Sequence, residues 1–145
     1  MADWDETRDW IAELAAAHAP VVAGAAVPAG LVEPTPGSTP SQAGLAVSMA
    51  ACAVAETGSV LLDARDGRRT QLLAPIHVVL VRDDAIFETL AEALACASAD
   101  LPSALGLHSG PSKSADIGQV VVKGVHGPGR LIVGVVAIAP ASNPS

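Results

Sequence analysis

Apolar and polar positions along the chain fall into blocks that predict alternating helices and strands. Trp10, Ile11, Leu14 and His18 recur at helical spacing, which predicts a helix over residues 3–18. Asp3 is placed to cap it, with Glu6 at the reciprocal position of a capping box. VVAGAAV (21–27) reads as a short strand. Residues 28–44 carry four prolines and no apolar period, so they predict a mobile loop that proteases nick first. The sequence therefore divides into an N-terminal helical arm and proline-rich loop (1–44) and a compact remainder (45–145), together one domain.

Beyond residue 44 the blocks turn aliphatic. MAACAVA followed by ETGSVLLDA predicts strand, turn and strand, with Gly58 at the turn. ARDGRR reads as a polar turn. PIHVVLV (75–81) is short, β-branched and ended by Arg82-Asp83-Asp84, as a buried strand should be. A helix is expected over 85–97, where Ile86, Leu90, Leu94 and Ala97 share a face, with Asp83 or Asp84 as its cap. A further short strand ends at Ser109-Gly110-Pro111. The next segment predicts a helix opening near Ser112–Ser114 and closing before Gly124, although its three consecutive valines also suit a strand. RLIVGVVAIA (130–139) reads as a buried strand and PASNPS as a frayed tail. Strands alternating with helical blocks imply an α/β domain with a mostly parallel sheet flanked by helices.

Composition narrows the function classes. Eight basic residues against fifteen acidic ones give a net charge of -7. A nucleic-acid binder needs a basic face for phosphates, so no nucleic-acid partner is expected. No apolar run reaches the ~20 residues of a spanning helix, and MADWDETRDW lacks a basic start and an apolar stretch. No membrane insertion and a cytoplasmic location are the corresponding expectations. The two cysteines, Cys52 and Cys96, stand far apart in sequence. A cubane cluster needs four thiolates, so no cluster, metal or other cofactor is expected in this chain. His77 lies inside a strand and reads as a core histidine, and His18 and His108 have no clustering partners.

Three loops carry candidate chemistry. Glu56, Thr57, Gly58 and Ser59 combine a carboxylate, two hydroxyls and a glycine, which suits either a ligand loop or a hairpin turn. Ser109, Gly110, Ser112, Lys113, Ser114 and Asp116 surround a Gly-Pro corner. A helix opening there would aim free amides at an anion; simple serine capping is the alternative. Gly124, His126 and Gly127 form a glycine-rich turn whose histidine is placed to hydrogen-bond a ligand; a turn in which His126 only caps the preceding segment is the alternative. The three loops are expected to converge on one anion pocket at the carboxyl ends of the strands. Lys113 would supply charge there, and Glu56 and His126 any proton handling.

Taken in order, AETGS, LLAPIHVVLV, SGPSKSADI and GVHGP resemble the LUD-domain family, its lactate-utilisation protein C branch, over roughly residues 45–138. The resemblance implies a fold similar to the sugar-phosphate isomerase and CoA-transferase superfamily. It also implies a non-redox role in oxidising L-lactate to pyruvate, with iron-sulfur clusters held by partner proteins and a small anionic ligand bound here. A freestanding enzyme or ligand-binding regulator acting on a phosphorylated or CoA-linked molecule is the alternative, and a homo-oligomer is compatible with either. Lys113-Ser114 stands where the family usually shows Arg-Thr, and Gly118 where it usually shows Glu.

Overall fold

The structure, a computed structural model, describes residues 3–115, 121–124 and 126–137. Asp116, Gly118 and the PASNPS tail lie outside the described residues.

The first helix, α1 (Trp4–Ala17), opens with the expected capping box between Asp3 and Glu6. Its Ile11 is buried, with Trp10 and Leu14 packed beside it. Strands β1 (Val21–Ala23), β2 (Leu45–Met49), β5 (Ile76–Arg82) and β10 (Arg130–Val136) form a wholly parallel sheet in the order β1-β2-β5-β10. Continuous β-branched sequence suits this sheet because both its faces are covered. On one face Leu45, Val47, Val78 and Leu80 pack against Ile11, Leu31 and Val32. The proline-rich segment is thus without helix or strand, as its composition requires, yet it is tied down. Leu31 and Val32 enter the core, the Thr35 hydroxyl accepts from the Val21 amide at 3.0 Å, and the Thr35 amide donates to the Val21 carbonyl at 2.9 Å.

The opposite face is covered by a second sheet. β3 (Cys52–Val54) and β4 (Ser59–Asp63) form the expected hairpin, and Gly58 takes the positive φ of 61° at its turn. β6 (Ile86–Phe87) joins β3 in parallel and β7 (Leu105–His108) joins β4 antiparallel. Ala53, Val60 and Leu62 of this sheet meet Val79 and Val81 of the first. The outer side of the hairpin, with Cys52, Val54 and Leu61, is closed by α3 (Leu90–Ala97) around Ala93. The order of layers is therefore helix, parallel sheet, mixed sheet, helix.

Three local expectations are corrected. The helix after β5 starts later than predicted: Asp83–Ala85 is a 3-10 turn, and Ile86 and Phe87 are taken by pairing with Ala53 and Val54. Thr89 caps α3, in a capping box with Glu92, so neither Asp83 nor Asp84 does. Second, the polar ARDGRR stretch is not only a turn; it leads into α2 (Arg68–Leu73), which follows Gly67 at φ 103°. Third, no helix opens at Ser112–Ser114. Lys113–Ala115 is β8, paired antiparallel with β9 (Val121–Lys123). The β-branched Val121 and Val122 favour the extended state.

Candidate functional site

The carboxyl edge of the parallel sheet holds a buried acid. Asp66, in the 3-10 turn after β4, is 4% exposed. Its Oδ1 accepts from the Ala26 amide at 2.6 Å and its carbonyl from the Ala25 amide at 3.2 Å, which clasps the loop leaving β1. Gly24 must be glycine, because a Cβ there would collide with the Asp66 carboxylate. Oδ2 is buried without a hydrogen-bond partner among the described residues. Burial raises the Asp66 pKa above the ordinary carboxylate value, and the nearby Asp63 charge adds to this. The Ala26 amide, the Ser48 hydroxyl and the Met49 amide oppose it. An open cavity of about 350 Å³ lies over the same edge, between the β1 and β2 ends and Asp63, Arg65 and Asp66.

Beneath that edge, Ser48 of β2 and His77 of β5 are both wholly buried, and His77 Nε2 lies 2.9 Å from Ser48 Oγ. His77 is the core histidine its strand position predicts. Its Nδ1 has no hydrogen-bond partner among the described residues, and burial, aided by His108, pushes its pKa down to about 4. His108, at the end of β7, has its pKa lowered by burial as well. Sequence reasoning missed Asp66 and the position of His108. The signal available was the acid in Arg65-Asp66-Gly67, which the polar run around it disguised as a surface turn.

The expected loops meet in pairs. Glu56 lies on the hairpin turn and its Oε1 accepts from the Leu90 amide at 2.9 Å, holding the first turn of α3. Thr57 and Gly58 are exposed on the same turn. Ser59 reaches Ser109 at 2.6 Å between hydroxyls, so the first and second loops touch there. The second and third touch at Ser112. Its amide donates to the Pro128 carbonyl at 2.8 Å, its carbonyl accepts from the Gly124 amide at 2.9 Å, and its hydroxyl accepts from the His126 amide at 3.2 Å. Gly127 packs on Ser112, where a Cβ would come within 3.3 Å of the serine Cβ. Lys113 and His126 are exposed, as is Gly110. Ser114 lies within β8.

One expectation about placement is corrected. The Gly124–Gly129 turn precedes β10, and the Arg130 amide donates to the Pro75 carbonyl at 3.1 Å. This turn therefore sits at the amino ends of β5 and β10, not the carboxyl ends. An open cavity of about 570 Å³ adjoins it, lined by Leu72, Leu73, Pro75, Gly124, His126 and Gly127 among others.

Parallel strands with covering layers on both faces define an α/β domain with a mostly parallel sheet. The LUD domain family model matches residues 40–136, and the chain belongs to that family. It is 43% identical over 91 residues to a lactate utilization protein C from Deinococcus radiodurans, covering 59% of this chain and 43% of that protein. It is 35% identical over 96 residues to a lactate utilization protein C 1 from Bacillus mycoides, covering 61% and 41%. The match thus spans less than half the length of these curated relatives. A crystal structure of a DUF162 family protein from Deinococcus radiodurans is similar with a TM-score of 0.66 and 25% identity, over 91% of this chain and 82% of that one.

Proposed function

We propose that this domain is a non-redox subunit of a bacterial system that oxidises L-lactate to pyruvate, working in the cytoplasm beside iron-sulfur partner proteins and binding a small anionic ligand. The observation that carries the reading is the LUD-domain match together with relatives named for lactate utilization. The chemistry of the chain agrees with a subunit that leaves electron transfer to others. Cys52 is buried and Cys96 exposed, and a cubane cluster would need four thiolates.

The anion contacts proposed from the loops are the Ser112 turn, with Gly124, His126 and Gly127 around the open cavity, and Lys113 as the nearby charge. Without a helix at Ser112, the attraction comes from Lys113 and the serine hydroxyls rather than from a helix dipole. Loss of a charge-assisted contact of about 1.5–3 kcal/mol corresponds to roughly ten- to a hundredfold in affinity. Lys113→Ala is therefore expected to weaken binding of inorganic phosphate by that factor, read by calorimetric titration.

The reading as a whole is tested in the source organism. Deleting the gene is expected to abolish growth on L-lactate as sole carbon source while sparing growth on pyruvate, and the tagged chain is expected to copurify iron-sulfur proteins. Unimpaired growth on L-lactate would refute it. Turnover of a phosphorylated or CoA-linked molecule by the isolated chain would establish the freestanding-enzyme reading in its place.

A further inference from the structure

We propose that the partly open cavity between α2, β4 and β7 binds a small monocarboxylate, with Arg68 holding the carboxylate and His108 meeting its polar end. The inference rests on the functional reading above only in choosing L-lactate among its probes.

Charge, shape and size support it. The cavity is lined by Leu62, Ala64, Arg68, Gln71, Leu72, Ala104, Leu105, Gly106 and His108, with no carboxylate in its wall. Arg8, Arg65 and Arg82 engage aspartates; Arg68, like Arg69 and Arg130, makes no ion pair among the described residues. Gln71 is fixed by donating its amide to the Asp63 carbonyl at 2.8 Å. His108 is half-buried, and its ring makes no hydrogen bond among the described residues. Room for that ring exists because residue 106 is glycine; a Cβ would stand 2.8 Å from His108 Nε2.

An arginine with open donors, a neutral imidazole able to donate or accept, and leucine and alanine walls make a site for a carboxylate on a short apolar body. The volume is about 130 Å³. A single water needs only about 10–15 Å³ of such space, so the cavity holds several waters. An acid of two to four carbons fits such a space. Leu72 also lines the larger open cavity at the His126 turn, so the two cavities are neighbours across one side chain.

The test is a titration of the full chain with acetate, L-lactate and inorganic phosphate, followed by backbone amide resonances. Acetate and L-lactate are expected to shift Arg68, Gln71, Leu105 and Gly106, and phosphate to leave these unmoved. Arg68→Gln is expected to weaken acetate binding at least tenfold. Ala104→Leu keeps the arginine and fills the cavity, and is expected to abolish binding in a chain that still melts cooperatively. Acetate bound here with L-lactate excluded would uphold the site and count against the lactate reading. Three results would overturn the site: shifts confined to Gly124, His126 and Gly127; Arg68→Gln binding acetate as tightly as the parent; or no saturation by about 100 mM, an affinity below the millimolar scale.

Discussion

The two faces of the parallel sheet are built from the same strands and are equally closed to water, yet they differ in kind. Toward α1, β2 and β5 present Leu45, Val47, Val78 and Leu80, all 0% exposed. Toward the mixed sheet and α2, the alternate positions present Ala46, Ser48, His77, Val79 and Val81, also 0% exposed. The first face is a dry aliphatic core. The second carries an imidazole nitrogen and lies beneath a carboxylate oxygen that have no partner among the described residues, and it borders the small cavity at His108. Stability alone does not require those polar groups, since well-packed apolar side chains of similar volume commonly serve at least as well. The first face is built for stability alone, and the second is not.

The largest effect expected from this contrast is on the dry face. Leu80→Ala should cost roughly 2–5 kcal/mol, the range for a leucine truncated in a rigid core. Denaturant unfolding measures it, and a cost well under that range would mean the face is not tightly packed.

Acid should act on the other face, with a magnitude of roughly 3 kcal/mol. His77 is held neutral down to about 4 in the folded state but accepts a proton near 6.5 when unfolded. The unfolded chain therefore binds the extra proton, and stability is complete above that value and lost as pH falls from about 6.5 toward 4. His108 is lowered too and acts in the same direction. Unfolding free energy measured across that window should decline, and His77→Gln should flatten most of the decline. A parent curve already flat between those values would contradict the buried neutral histidine.

How much of this was legible follows from the same contrast. In a strand covered on both faces there is no polar alternation to read, so IHVVLV announces a strand but not which face His77 and Val79 share. The β3–β4 hairpin was legible because Gly58 marks a turn whatever surrounds it. The late start of α3 was not, because Ile86 and Phe87 fit the helical period equally well and only pairing with Ala53 and Val54 withdraws them. Asp66 was hidden by its neighbours: Arg65 is exposed and satisfied by Asp63 and Asp100, while Asp66, one residue on, turns inward over Gly24. Of the expected loops, local chemistry revealed the serines and glycines that touch. It did not reveal that the His126 turn belongs to the amino ends of the strands, which is a property of strand order.

The outer helix sharpens the contrast with a smaller effect. Thr89→Ala should cost about 1 kcal/mol through loss of the α3 cap, and Asp84→Ala should not unravel that helix. Helical content measured by circular dichroism in both variants checks this; the opposite ranking would restore the aspartate cap.

The central claim is that the second face keeps polar groups at the expense of stability, and Asp66→Asn tests it most directly. The substitution preserves shape and leaves Oδ1 to accept from Ala26. The Asp66 pKa is raised in the folded state, so its favourable contribution is present below the ordinary carboxylate value and is lost as pH rises through the folded value. At pH 7 the ionised, buried carboxylate is a net cost. Unfolding free energy is measured for both proteins from pH 7 downward. The account predicts that Asp66→Asn is the more stable protein at pH 7 and that its advantage shrinks toward pH 4. A variant less stable than the parent at pH 7 would contradict it, because the carboxylate would then be there to hold the fold.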